Sequence, residues 1–139
     1  MNCVVCFVLV GVIVLGLFLF IFISFNKKGI HKLDIEKYRV KYLEIENNLK
    51  QDDDLSYHMT IINADKLLDQ ALKDIGFSGS TMGERLKSAK SKFKNNNNVW
   101  EAHKLRNRIV HEESVSLTYR DCRIALIGFK EALKDLGAI

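Results

Sequence analysis

The chain has 139 residues and a net charge of +4, with three cysteines and no proline. The absence of proline favours long uninterrupted helices, because proline breaks both helices and sheet ladders. Three cysteines without paired spacing make neither a disulfide framework nor a zinc site. Beyond an apolar N-terminal stretch about 110 residues remain, enough for one modest domain with its own core.

The N-terminal stretch, residues 3–25, is uncharged and rich in valine, leucine, isoleucine and phenylalanine. As a helix it would be about 34 Å long, which matches a hydrocarbon core of about 30 Å. A cleaved signal peptide would need a basic start and a shorter apolar core. We therefore predict a retained transmembrane anchor over residues 1–26, through which the chain contacts a membrane.

The orientation of this anchor follows from the lysines behind it, Lys27, Lys28 and Lys32. The positive-inside rule predicts a single pass through an inner or cytoplasmic membrane, with the N-terminus outside and the remaining domain in the cytoplasm. Residues 27–53 are interpreted as a juxtamembrane segment and an amphipathic helix over 33–50. This helix is either a stalk or the first helix of the bundle, and the folded domain covers residues 54–139.

Capping signals predict the next two helices. The acidic residues 52–54 are N-cap candidates for a helix that Gly76 ends. Thr81 and Glu84 have the spacing of a capping box, which predicts a helix from there through Phe93.

The last two helices have similar signals. Asn98 is the predicted cap of a helix over residues 99–111, and Thr118 with Asp121 marks the start of a helix that Gly137 ends. No alternating strand pattern occurs. The predicted fold class is all-α, an N-terminal transmembrane helix followed by an antiparallel bundle of four to five helices.

Residues 99–111 carry the candidate site. On a helical wheel His103, Asn107 and His111 form one stripe, since they are four residues apart. Arg106 projects to the apolar side, where it needs a carboxylate, a carbonyl or an anion as a partner. Arginine binds phosphate with a planar fork of donors, and histidine transfers protons near neutral pH, so this set suits phosphodiester chemistry.

The arrangement of Arg106, Asn107 and His111 resembles the motif of the HEPN superfamily, small all-α domains with an arginine, a polar residue and a histidine four to six residues after the arginine. The resemblance covers roughly residues 54–139. It implies metal-independent RNA cleavage to a 2′,3′-cyclic phosphate and a 5′-hydroxyl. His111 would act on the 2′-hydroxyl or the leaving 5′-oxygen, Arg106 would hold the phosphate, and Asn107 would orient His111 or the backbone.

The resemblance also implies a homodimer in which two motifs face one cleft. The sequence has no metal-ligand cluster, phosphate-binding glycine loop or serine–histidine arrangement, so we expect no metal and no cofactor. RNA is the expected partner, and an antitoxin or regulatory partner stays unspecified. Basic residues before and within the motif helix are either a solvated face or a phosphate-binding track. This predicted RNA-binding set is Arg85, Lys87, Lys90, Lys92, Lys94, Lys104 and Arg108.

Several alternatives stay open at this point. Arg106 could pair with Asp65 or Asp69 in a buried structural bridge. His103 offers a second imidazole, although its position beside Trp100 favours a structural hydrogen bond. The domain could bind nucleotide, RNA or a protein without cleavage, or it could assemble a membrane complex through its anchor.

Overall fold

The computed structural model describes residues 3–26 and 33–139, and within the first helix it describes the side chains of residues 7–21. The regular structure of these residues is helical throughout, consistent with the predicted all-α bundle. The helices are α1 (Cys3–Asn26), α2 (Ile35–Asn47), α3 (Asp54–Ile75), α4 (Met82–Ser88), α5 (Asn96–His111) and α6 (Tyr119–Asp135), with a 3₁₀ turn at Lys90–Lys92.

Helix α1 contains the stretch that was predicted to be a membrane anchor. Within the described part of the chain, no helix is long and apolar enough to cross a membrane. The finding contradicts the transmembrane anchor at residues 1–26 and the single-pass localisation with an outside N-terminus and a cytoplasmic domain. The lysines on which the predicted orientation depended lie outside the described residues.

Helix α2 packs against the bundle and is not a free stalk. The side chains of Tyr38 and Tyr42 are buried. Tyr38 donates a hydrogen bond of 2.7 Å to Asp74 near the end of α3, and Tyr42 donates one of 2.9 Å to the backbone carbonyl of Leu126 in α6. Burial raises the pKa of both phenols, which keeps them protonated as donors. Residues 35–47 therefore belong to the same folded body as the helices that follow.

The ends of α3 and α6 follow local capping chemistry. The Asp53 side chain accepts a hydrogen bond from the backbone N–H of Ser56, and Gly76 ends α3 at a φ of 98°, a left-handed conformation that favours glycine. Thr118 and Asp121 form a reciprocal capping box at the start of α6. These caps agree with the boundaries predicted from the sequence.

Two boundaries differ from the prediction. Helix α4 ends at Ser88, and the 3₁₀ turn carries the chain on to the buried Phe93. The Asn95 side chain, not that of Asn98, accepts the capping bond of α5, so this helix begins three residues early. Four consecutive asparagines offer the same capping group at each position, and only tertiary packing selects one of them.

The core lies between α3, α5 and α6. Helices α5 and α6 run antiparallel, since Asn98 near the start of α5 bonds Glu131 near the end of α6. They approach closely at Gly128, where an added Cβ would lie 2.8 Å from the backbone oxygen of Asn98. The largest fully buried aliphatic and aromatic side chains of α3 and α6 are Ile61, Leu68, Leu72, Leu126, Phe129 and Leu133.

We predict that Gly128→Ala destabilises the domain by about 1–3 kcal/mol, because the new methyl group forces α5 away from α6. The measurement is the denaturant midpoint of the full chain. Gly16→Ala is the matched control, since no atom lies within 4 Å of its added Cβ. Equal midpoints for Gly128→Ala and wild type would contradict the close crossing.

Candidate functional site

The candidate site is built around the carboxylate of Asp65, which lies in the middle of α3 and is 1% exposed. Its Oδ1 is 2.7 Å from Nδ1 of His103, and its Oδ2 is 3.1 Å from Nε of Arg106. Both partners come from α5, one turn apart. A buried carboxylate without partners is very costly, so these two contacts hold α3 and α5 in one register.

Asn107 closes the arrangement into a ring. Its Oδ1 accepts a hydrogen bond of 2.8 Å from Nη1 of Arg106, and its Nδ2 lies 3.2 Å from Nε2 of His103. We refer to Asp65, His103, Arg106 and Asn107 as the Asp65 network. Every member contacts two others, so each group limits the positions that its neighbours can take.

Arg106 lies at the boundary between the core and the surface. Its Nε is buried and close to Asp65, but its N–H does not point at the oxygen well enough to form a hydrogen bond. The side chain as a whole is 25% exposed. The carboxylate therefore balances the charge of the guanidinium without taking all five of its donors, and some remain for an anion.

His111 stands apart from this network. It is exposed at the last position of α5, one turn after Asn107. Among the described residues it takes part in none of the observed hydrogen bonds or ion pairs. The structure therefore joins the first two residues of the predicted motif, Arg106 and Asn107, by a direct hydrogen bond and leaves the third free at the surface.

Asp69, the other candidate partner for Arg106, has a different role. It bonds Nε of Arg85 and Nζ of Lys73, both at 2.6 Å. Burial alone would raise the pKa of the Asp69 carboxyl, but these two hydrogen bonds outweigh it and hold the pKa below its usual value. Of the two aspartates considered from the sequence, Asp65 is the one beside Arg106.

Arg85 does not belong to the exposed basic surface that the sequence suggested. Its side chain is 8% exposed, and it donates to Asp69 and, at 2.6 Å, to the backbone carbonyl of Gly79. These contacts leave it little freedom to bind a phosphate. The cause is the position of Arg85 on the inner face of α4, beside the buried Leu86.

The other predicted RNA-binding residues divide into two groups. Lys104 and Arg108 on α5 are exposed but paired with Glu101 at 2.8 Å and Glu112 at 3.2 Å. The second group follows Arg85 along the chain and is exposed on α4, the 3₁₀ turn and the next residues. Its members are Lys87, Lys90, Lys92 and Lys94, of which Lys94 also lies 3.8 Å from Asp135.

Sequence reasoning gave His103 a supporting part, yet it links Asp65 to Asn107, as Arg106 also does. Its ring also packs edge-on against Trp100, with centroids 6.0 Å apart. The signal that could have found this role is the four-residue spacing of His103 and Asn107 on one helical stripe, facing a helix with an aspartate at its centre.

A second candidate is an open groove of about 720 Å³ between α5 and α6. Ala102, Leu105 and Ile124 line its apolar part, and Lys104 and Arg108 lie at its polar part. The groove does not include any member of the Asp65 network. In the described part of the chain, no three His, Cys, Asp or Glu side chains are grouped to hold a metal ion.

Comparison with known proteins returns no matching family model, no matching curated protein and no matching solved structure.

We predict that Asp69→Asn destabilises the folded chain by about 3–5 kcal/mol near neutral pH, because the buried Arg85 loses its counter-charge. Since the pKa of Asp69 is lowered by folding, its contribution is present above the unfolded pKa of about 3.9 and is lost as the pH falls through the lower folded pKa. The difference in free energy of unfolding between wild type and variant should be constant from about pH 7 to about pH 5 and should disappear below about pH 4.

The measurement is urea unfolding at several pH values. Glu113→Gln, at an exposed position, removes the same charge and serves as the control. A difference that stays the same down to the lowest pH at which the chain folds would show that the ionised Asp69 carboxylate does not provide the stabilisation.

Proposed function

We propose that this chain is a HEPN-like domain that cleaves RNA without a metal ion, through Arg106, Asn107 and His111. The observation that supports the proposal most directly is the Asp65 network. It holds a partly exposed guanidinium five residues before an exposed imidazole on the same helix. A fixed cation and a free proton-transfer group are the two kinds of group that phosphodiester cleavage uses.

In the proposed reaction the RNA 2′-oxygen attacks the adjacent phosphorus and the bond from phosphorus to the 5′-oxygen breaks. The 2′-hydroxyl proton goes to a base, and an acid supplies a proton to the leaving 5′-oxygen. The products are a 2′,3′-cyclic phosphate and a 5′-hydroxyl. Arg106 binds the phosphate oxygens with donors that Asp65 and Asn107 leave free, and it stabilises the charge that develops there.

His111 acts on one side of the phosphorus. A single imidazole does not easily serve as both base and acid, because the attacking and leaving oxygens lie in line on opposite sides. We therefore propose a homodimer in which His111 of a second copy takes the other role. The exposed position of His111 at the end of α5 leaves it accessible to RNA and to a second copy.

The second candidate function is RNA binding without cleavage. Two observations favour it. His111 has no partner among the described residues that would orient it, and the exposed lysines Lys87, Lys90 and Lys92 follow one another along α4 and the 3₁₀ turn. Lysines in such a row bind a phosphate backbone without reading sequence.

We predict that the full chain cleaves single-stranded RNA in excess chelator and that His111→Ala lowers the rate by about 10²–10⁴-fold, the usual contribution of a general acid or base. The melting temperature should stay unchanged, since His111 is exposed. The assay scores cyclic phosphate ends and 5′-hydroxyl ends of the fragments.

The matched control is His58→Ala, which removes a histidine outside the Asp65 network that contacts the carbonyl of Val115 at 2.9 Å. This variant should still cleave wherever it is folded. Cleavage that survives in His111→Ala identifies a contaminant or another site. A folded wild-type chain that binds RNA without cutting it favours the second candidate.

We predict that replacing Lys87, Lys90 and Lys92 together with alanine weakens RNA binding. The logarithmic dependence of the affinity on salt should become shallower by about 0.7 for each phosphate that is no longer neutralised. The control variant replaces Lys37, Lys41 and Lys66 with alanine, which removes the same charge from exposed positions on α2 and α3. Fluorescence anisotropy over a range of salt gives both slopes. Identical slopes for the two triple variants would exclude the row on α4 as the binding surface.

A further inference from the structure

The protonation state of His103 follows from the donors around Asn107. Arginine has no acceptor, so the Asn107 side chain must turn its oxygen to Nη1 of Arg106, as it does at 2.8 Å. The amide nitrogen then faces Nε2 of His103 at 3.2 Å. Because that nitrogen is a donor, Nε2 must be an acceptor and carries no proton. The ring proton is on Nδ1, which faces Asp65 at 2.7 Å.

We propose that His103 is a positioning residue for the proposed RNA cleavage: its neutral, Nδ1-protonated imidazole orients the Asn107 amide, and the amide orients the guanidinium of Arg106. This inference depends on the proposed function only in taking Arg106 as the group that holds the phosphate. We call this series of contacts the relay. Asp65 fixes the tautomer of His103, His103 fixes the orientation of the Asn107 amide, and the amide fixes the position of Nη1 of Arg106.

His103 lies beside one negative and one positive side chain, Asp65 and Arg106. From α3 it faces Asp65, and on its own helix it shares that carboxylate with Arg106. Helix α4 approaches Nε2 with Gly83, which has no side chain to ionise, and an added Cβ there would lie 3.8 Å away. One carboxylate thus balances one guanidinium, and a second positive charge on the buried ring would have no counter-charge of its own.

Protonation of Nε2 would break the relay. The new N–H would face the amide N–H of Asn107, which places two donors 3.2 Å apart. A rotation of the amide brings no relief, because its nitrogen would then face Nη1 of Arg106, another donor. Arg106 would keep its contact with Asp65 and lose the hydrogen bond that fixes its outer nitrogen.

The first test needs no enzymatic activity. The full chain has four histidines, and a long-range proton–nitrogen spectrum of the ¹⁵N-histidine-labelled protein reports the tautomer of each. The signal of His103 is identified by its loss in His103→Gln. We expect the Nδ1-protonated pattern, which is the less common form of a free imidazole. An Nε2-protonated or doubly protonated His103 at neutral pH overturns the inference, whether or not the protein cleaves RNA.

The second test compares two uncharged amides at the same position. In His103→Asn the amide takes the place of Nδ1 and keeps the bond to Asp65, whereas in His103→Gln it takes the place of Nε2 and keeps an acceptor for Asn107. If His103 positions Arg106, the glutamine variant keeps most of the rate. The asparagine variant should lose kcat on the order of 10²-fold, as expected for a misplaced catalytic group, with a smaller change in KM.

If His103 has only a structural role, the asparagine variant should keep more of the rate than the glutamine variant, because asparagine keeps the hydrogen bond to the buried Asp65. Equal rates for both variants also overturn the inference. A wild-type chain as inactive as His111→Ala refutes the proposed cleavage alone, and the tautomer measurement still decides the role of His103.

Discussion

The buried carboxylate of Asp65 is the constraint from which the rest of the domain follows. A charge that is 1% exposed must be balanced and hydrogen-bonded, and here both requirements are met from a single neighbouring helix. Helix α5 therefore cannot slide or rotate against α3 without leaving a charge unpaired. Hydrophobic packing alone would tolerate such shifts far better, since apolar contact is non-directional. The polar pair thus supplies the register, and the core between α3 and α6 supplies the bulk of the stability.

Helix α3 presents two aspartates one turn apart, and the structure uses them differently. Asp69 and Arg85 form a closed pair, with the arginine 8% exposed and its donors taken by protein groups. Asp65 and Arg106 form an open pair, with the arginine 25% exposed. The same chemical pair therefore has a structural role at one position and a candidate binding role at the other. What distinguishes them is access of the guanidinium to solvent.

Local features of the fold could be predicted from the sequence, whereas tertiary choices could not. The caps at Asp53, Gly76 and Thr118 depend on residues within one turn, so the pattern alone indicates them. The need of Arg106 for an acidic partner could also be inferred, because the helical wheel places it on the apolar side. The choice of Asp65 over Asp69 depends on how α3 meets α5, which no local pattern contains. The same holds for Arg85: its basic character suggested an exposed binding surface, whereas its side chain is buried against Asp69 and Gly79.

The two aspartates of α3 also bear on how the domain opens. Each has its partner on a different later helix, Arg85 on α4 and Arg106 on α5. A fluctuation that detaches α5 leaves the buried charge of Asp65 without its partners, and one that detaches α4 leaves Asp69 with Lys73 alone, unless α3 loosens in the same event. Partial opening of α4 or α5 is thereby made as costly as a larger opening that includes α3. The amide protons of these three helices should then exchange with solvent as one cooperative unit, although the helices are far apart in the chain.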